Sequence, residues 1–219
     1  MVKRVLLLSL AASLLVGVTA CGSSTPSSTV LLKDAQSAFD SASSVKVSGL
    51  VPHKGGNYNV DLAMSRSGDL SGTISTSIQQ IKLIIVGGTA YQYVNKGFFT
   101  QLVLLHKVSA SMCAVICDKY IKSAPSGQYE PFTMTSMISG LNSTMPKASS
   151  SVTLTTFAGQ AAYKLTEPDG THAYIAERGR HYLLGVAAKE GELTFTEWNT
   201  VPAIVPPPAS QIADYPGAG

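Results

Sequence analysis

Between residues 78 and 94 the chain reads IQQIKLIIVGGTAYQYV, two runs rich in Ile, Val and Tyr that meet at Gly87-Gly88. Tight two-residue turns require positive φ, which glycine reaches without strain, so the pattern predicts a β-hairpin. With those two residues as the whole turn, Ile85 faces Ala90, Leu83 faces Gln92 and Ile81 faces Val94 on one side of the sheet. Gln80, Lys82, Ile84, Tyr91 and Tyr93 fall on the other. One face of the hairpin is thus nearly all aliphatic and the other mixed.

Period-two alternation predicts further strands on either side. Val45, Val47 and Gly49 alternate with Lys46 and Ser48, and strands follow over 60–65 and 70–75. After residue 150 the pattern predicts strands over 152–157, 160–167, 171–176, 182–188 and 192–198, separated by Ala158-Gly159, Asp169-Gly170 and Glu190-Gly191 turns. Helical spacing occurs in three places. Leu31, Ala35, Ala38, Phe39 and Ala42 form one stripe. Leu105, Val108, Met112 and Val115/Ile116 predict a helix over 101–117. Met134, Met137, Ile138 and Leu141, followed by Asn142 and Pro146, predict another over 133–142. The result is an α+β fold: an up-and-down antiparallel meander interrupted by a helical insert.

The first twenty residues bear on where this domain works. Met1-Val2-Lys3-Arg4 is a short basic segment, and 5–18 is an apolar run too short for a comfortable membrane span. It ends in Val18-Thr19-Ala20-Cys21, the pattern of a lipobox, in which Cys21 receives a diacylglycerol and residues 1–20 are removed. Two or more acyl chains make a stable anchor where one is marginal. The expectation is a lipid-anchored protein on the extracytoplasmic side of the cell membrane, with 21–30 as lipidated cysteine and polar tether (GSSTPSST). Residues 31–205 then form the folded domain and 206–219 an extended tail whose Pro206-Pro207-Pro208 cannot enter a sheet interior.

Cleavage leaves 199 residues, enough for one core, and takes the formal charge from +3 to about +1 by loss of Lys3 and Arg4. Near-neutral charge gives no electrostatic case for nucleic acid. Charged residues make up only 13% of the chain while apolar ones make up 45%, which argues against disorder across the body.

Candidate chemistry is sparse. Cys113 and Cys117 are four apart; an exported location favours a disulfide over two buried thiols on one helix face. A regular helix does not give that pair good disulfide geometry, so a bridge requires a break near residues 114–116. No metal site is expected, because His53, His106, His172 and His181 are scattered. The sequence contains no G-x-S-x-G, H-E-x-x-H, P-loop or G-x-G-x-x-G motif, so neither an enzyme nor a cofactor is expected. Met112, Met134, Met137 and Met145 enrich the helical insert. Methionine adapts to irregular apolar ligands, but it also packs in ordinary cores. Together with Ile81, Leu83, Ile85, Ile138 and Leu141 these residues outline a candidate apolar site between sheet and helices.

The lipobox VTAC, the Ser/Thr/Pro tether, a first helix leading into VKVSG, the run IIVGGTAYQYVN, and a closing FTEWN followed by VPAIVPPP together resemble the bacterial LolA-like lipoprotein carriers of the LppX/LprG type. The resemblance implies a strongly curved antiparallel half-barrel with helices packed on its concave side. It also implies an apolar cavity that takes the acyl chains of a lipid or lipoglycan, in a monomer with no catalytic residues. Cys113 and Cys117 have no counterpart in that pattern. The competing expectation is a surface-tethered structural or interaction module whose core is filled.

Overall fold

The computed structural model describes residues 25–51, 56–77, 79–105, 109–124, 127–144, 151–189 and 191–214. Among them, eleven strands form one curved antiparallel sheet that does not close. The strands are β1 (Ser44–Val51), β2 (Tyr58–Ser65), β3 (Leu70–Ser75), β4 (Gln80–Val86), β5 (Thr89–Tyr93), β6 (Tyr120–Ser123), β7 (Ser151–Phe157), β8 (Gln160–Thr166), β9 (His172–Ala176), β10 (Leu183–Ala188) and β11 (Gly191–Thr196). Their order is β6-β5-β4-β3-β2-β1-β11-β10-β9-β8-β7. Two meanders are therefore stitched together at the β1–β11 pair, where Val47 faces Phe195. The helical insert leads from one edge of the sheet to the other.

The glycine hairpin has the expected register. Leu83 pairs with Gln92 and Ile85 with Ala90, and Gly87 and Gly88 have φ of 55° and 72°. The Gly87 N–H also donates to the Asp69 carboxylate at 3.0 Å, which ties this turn to the β2–β3 turn.

Helix α1 (Ser28–Ser41) begins three residues before its predicted stripe, inside the stretch expected to be tether. Ser27 caps it, accepting the Val30 N–H on its hydroxyl. At the other end the Arg66 guanidinium donates to the carbonyls of Phe39 and Ala42, satisfying groups that a helix end leaves unpaired. Leu31, Ala35 and Phe39 bury on the sheet, and Phe39 meets Phe195 and Trp198 edge-on.

The single helix expected over 101–117 is not formed. Instead α2 (Lys96–Leu104), capped by Asn95, is followed by one 3-10 turn (Ala110–Met112) and α3 (Cys113–Ile116). Cys117 leaves helical geometry, with ψ of 143°. The helical spacing of Leu105, Met112 and Val115 is therefore not one stripe: Leu105 is exposed and Met112 half-buried. Strand β6, which the alternation did not predict, follows and pairs with β5. Helix α4 (Met134–Thr144) extends the predicted one by two residues at its C-terminal end.

Among the described residues, most buried apolar side chains belong to one core on a single sheet face, covered by α1 and α4. A second, smaller core lies by the β5–β6 edge, where Val94, Phe99, Ile116 and Ala213 meet. Ala213 comes from the tail. Its N–H donates to the Tyr120 carbonyl at 2.8 Å, so residues after the prolines return to cover the β6 edge.

Candidate functional site

The aliphatic hairpin face is the covered one. Leu83 and Ile85 lie in the main core beside Leu62, Met64 and Leu70 of the neighbouring strands. Helix α4 supplies Met134 and Met137, which keep 2% and 8% of their surface, and Tyr129 just before it is also buried. The Tyr129 hydroxyl donates to Gln92 Oε1 at 3.1 Å, so the one amide on this face of the hairpin is paired. The bond holds the segment before α4 down on β5.

Burial is uneven across this layer. Leu83 and Leu62 have no accessible surface, and a side chain with none borders no space that admits water. The centre is thus filled by protein. At the end of the sheet where β1 stops and β2 and β4 start, the seal is incomplete. Val51, Tyr58, Ile81, Phe132 and Ile138 are half-buried there, and Tyr58 meets Phe132 edge-on at 6.0 Å.

Of the candidate apolar residues, the structure brings together Ile81, Leu83, Ile85, Met134, Met137 and Ile138. Met112 is elsewhere, packed on the second core at the β5–β6 edge. Leu141 is in α4, with its side chain outside the described residues, and Met145 is outside them altogether. Sequence reasoning missed Tyr58 and Phe132. Tyr58 precedes the predicted start of its strand, and Phe132 ends a 3-10 segment (Gly127–Phe132) whose short apolar spacing matches neither period.

The opposite sheet face is mixed: Ile84 and Tyr91 pair on it and Phe157 stacks on Tyr174, beside polar and charged side chains. Lys46, Asp61, Ser71, Thr73 and Glu197 line a shallow cleft of about 290 Å³ there. Lys46 Nζ lies 3.3 Å from the Asp61 carboxylate, but both are well exposed, and such pairs contribute little.

Cys113 and Cys117 lie at disulfide distance at the break in the helical insert. No cluster of three or more metal-ligating side chains occurs among the described residues. His53, His106 and Cys21 lie outside them. His181 Nδ1 is 2.9 Å from the Asp34 carboxylate of α1. His172 Nδ1 is shielded and has no hydrogen-bond partner among the described residues; desolvation, and then the nearby Lys164 charge, lower its pKa below the ordinary value. No helix of the described residues is long and apolar enough to cross a membrane.

The sequence matches no protein-family model and no curated protein. Among solved structures, the chain is similar to an uncharacterized conserved protein from Thermus thermophilus, at 10% identity and a TM-score of 0.33. That match covers 84% of this chain and 97% of the other. A likeness that weak carries no functional argument.

Proposed function

We propose that the protein is a membrane-anchored, exported lipoprotein that binds the acyl chain of a lipid or lipoglycan between its sheet and helix α4. The half-buried apolar rim of Val51, Tyr58, Ile81, Phe132 and Ile138 carries this reading, because it leaves the edge of a large apolar layer accessible. In it the covered face is the concave one, α1 and α4 lie on it, and the ligand enters at the rim. Met137, an unbranched side chain in the same layer, can change rotamer at little cost as a chain slides in. Each methylene transferred from water contributes about 0.8 kcal/mol, so a ten-carbon tail suffices for binding that survives purification.

The second reading, a surface-tethered module without ligand, draws on the filled centre around Leu83 and Leu62. Extraction of the purified protein with organic solvent, together with native mass spectrometry, separates the two. Acyl-chain binding predicts one lipid per chain, or uptake of added lipid. Apo protein alone, with no uptake, leaves only the filled module.

The anchor has its own test. Cys21→Ala is expected to move the protein from the acylated membrane fraction to uncleaved precursor or to the medium. Unchanged lipid labelling of the variant would remove the anchor from this proposal.

A further inference from the structure

The two edges of the sheet are treated differently. At β6 the returning tail covers the edge through the bridge between Ile212 and Tyr120. At β7, among the described residues, no strand or side chain pairs with the outer edge. That strand reads Ser-Val-Thr-Leu-Thr-Thr-Phe, seven residues with no charge, glycine or proline. Free edges are normally protected by charges, prolines, bulges or a cover; β7 carries no charge or proline, and nothing among the described residues covers it.

The direction of its free backbone groups follows from its neighbours. The Glu177 N–H donates to the Ala161 carbonyl at 3.0 Å, so the backbone of Ala161 points toward β9. Thr156 pairs with Ala161, which makes this a non-hydrogen-bonded pair, and the Thr156 backbone therefore points away from β8. By alternation the N–H and C=O of Leu154 and Val152 point outward too. Leu154 stands opposite Tyr163, on the same sheet face as the main core, yet it remains 60% exposed.

From this we infer that the protein forms a two-fold dimer in which β7 pairs antiparallel with β7 of a second copy, centred on Leu154. The register closes on itself: Leu154 meets Leu154, Val152 meets Thr156, and Thr156 meets Val152. Every outward-pointing residue then faces another, as a hydrogen-bonded antiparallel pair requires. A two-fold axis normal to the sheet keeps each side chain on its own face, so the exposed leucines cover one another. On the other face Thr153 stands opposite Thr155, a favourable β-branched pair. No like charges meet anywhere along the pair. A second copy is thus the occupant that this strand fits by its own symmetry, in place of the monomer expected from the sequence.

Paired cysteines test both the contact and its register in the full chain. Across a hydrogen-bonded antiparallel pair the Cα atoms are about 5.5 Å apart, within disulfide reach. Leu154→Cys should therefore crosslink under mild oxidation to a covalent dimer with a 154–154 bond identified by peptide mass spectrometry. Thr155→Cys, whose neighbour is Thr153, should not. In sedimentation without oxidant the wild-type chain should be dimeric, and Leu154→Lys should lose the dimer while its melting temperature holds. A wild-type monomer at every concentration, equal crosslinking of the two cysteine variants, or β7 captured by another protein's strand instead of its own copy would each overturn the dimer.

Discussion

Gly72→Ala is expected to destabilise the domain by about 3–5 kcal/mol, combining strain at an unfavourable backbone conformation with overpacking. Gly72 sits inside β3, between Leu62 of β2 and Leu83 of β4, with φ of 150°. A β-carbon added there would stand 2.0 Å from the Asp61 carbonyl oxygen. That oxygen belongs to a paired backbone, so relief requires shifting β2 rather than turning a side chain. Gly49 repeats the arrangement in β1, with φ of 134° and the Glu192 carbonyl oxygen 2.0 Å from its virtual β-carbon. Both positions share the parity of the core-facing residues, and glycine inside a strand marks such bends and close backbone approaches. Gly49→Ala should match the loss. Gly140→Ala in α4, where a β-carbon meets nothing within 4 Å, should be neutral or stabilise by up to about 1 kcal/mol. Thermal and denaturant unfolding of the three variants checks this; a Gly72→Ala protein as stable as wild type would show that the sheet does not need these kinks.

These kinks also mark what the sequence made legible. The Gly87-Gly88 turn announced itself because it joins two strongly alternating runs, and the parity of every residue from Gln80 to Tyr93 followed from it. The role of Gly49 and Gly72 was hidden, because a glycine within a strand pattern carries no sign of its φ. Strand β6 was hidden for a different reason. Four residues, Tyr-Ile-Lys-Ser, are too few to establish a period, and they are held by β5 and by the returning tail rather than by local preference. The false long helix arose from spacing alone. Leu105, Met112 and Val115 match a helical stripe, but the chain turns after Leu104 and again at Cys117. The β1–β11 pairing joins residues about 150 positions apart, and no local pattern encodes it.

The same holds for the candidate site. Parity placed Leu83 and Ile85 on one face, and helical spacing put Met134, Met137 and Ile138 together. Both groups entered one core. Whether that layer is open depends on the volume that α1 and α4 bring to it, which periodicity does not report. The complete burial of Leu83 beside the partial burial of Ile81, two residues earlier on the same strand and face, became visible only in three dimensions.

That contrast sets up an experiment on one strand. Leu83→Trp places a bulky ring where no water-sized space exists, against Gly72 on one side and Gln92 on the other. It should cost roughly 1–3 kcal/mol by overpacking. Ile81→Trp puts the same ring at the half-buried rim, where solvent takes up the extra volume, so the melting temperature should hold. If acyl chains enter there, lipid uptake in the Ile81 variant should fall. Lys82→Trp, between them but on the opposite, mixed face over the Tyr93 and Tyr120 rings, is the control. Losing an exposed cation–π contact should alter stability by no more than about 1 kcal/mol and leave lipid uptake alone. A Leu83→Trp protein that melts as high as wild type would mean that the centre of the layer opens to admit a ring, placing the ligand deeper than the rim. Full lipid uptake by Ile81→Trp would move the entrance away from this end of the sheet.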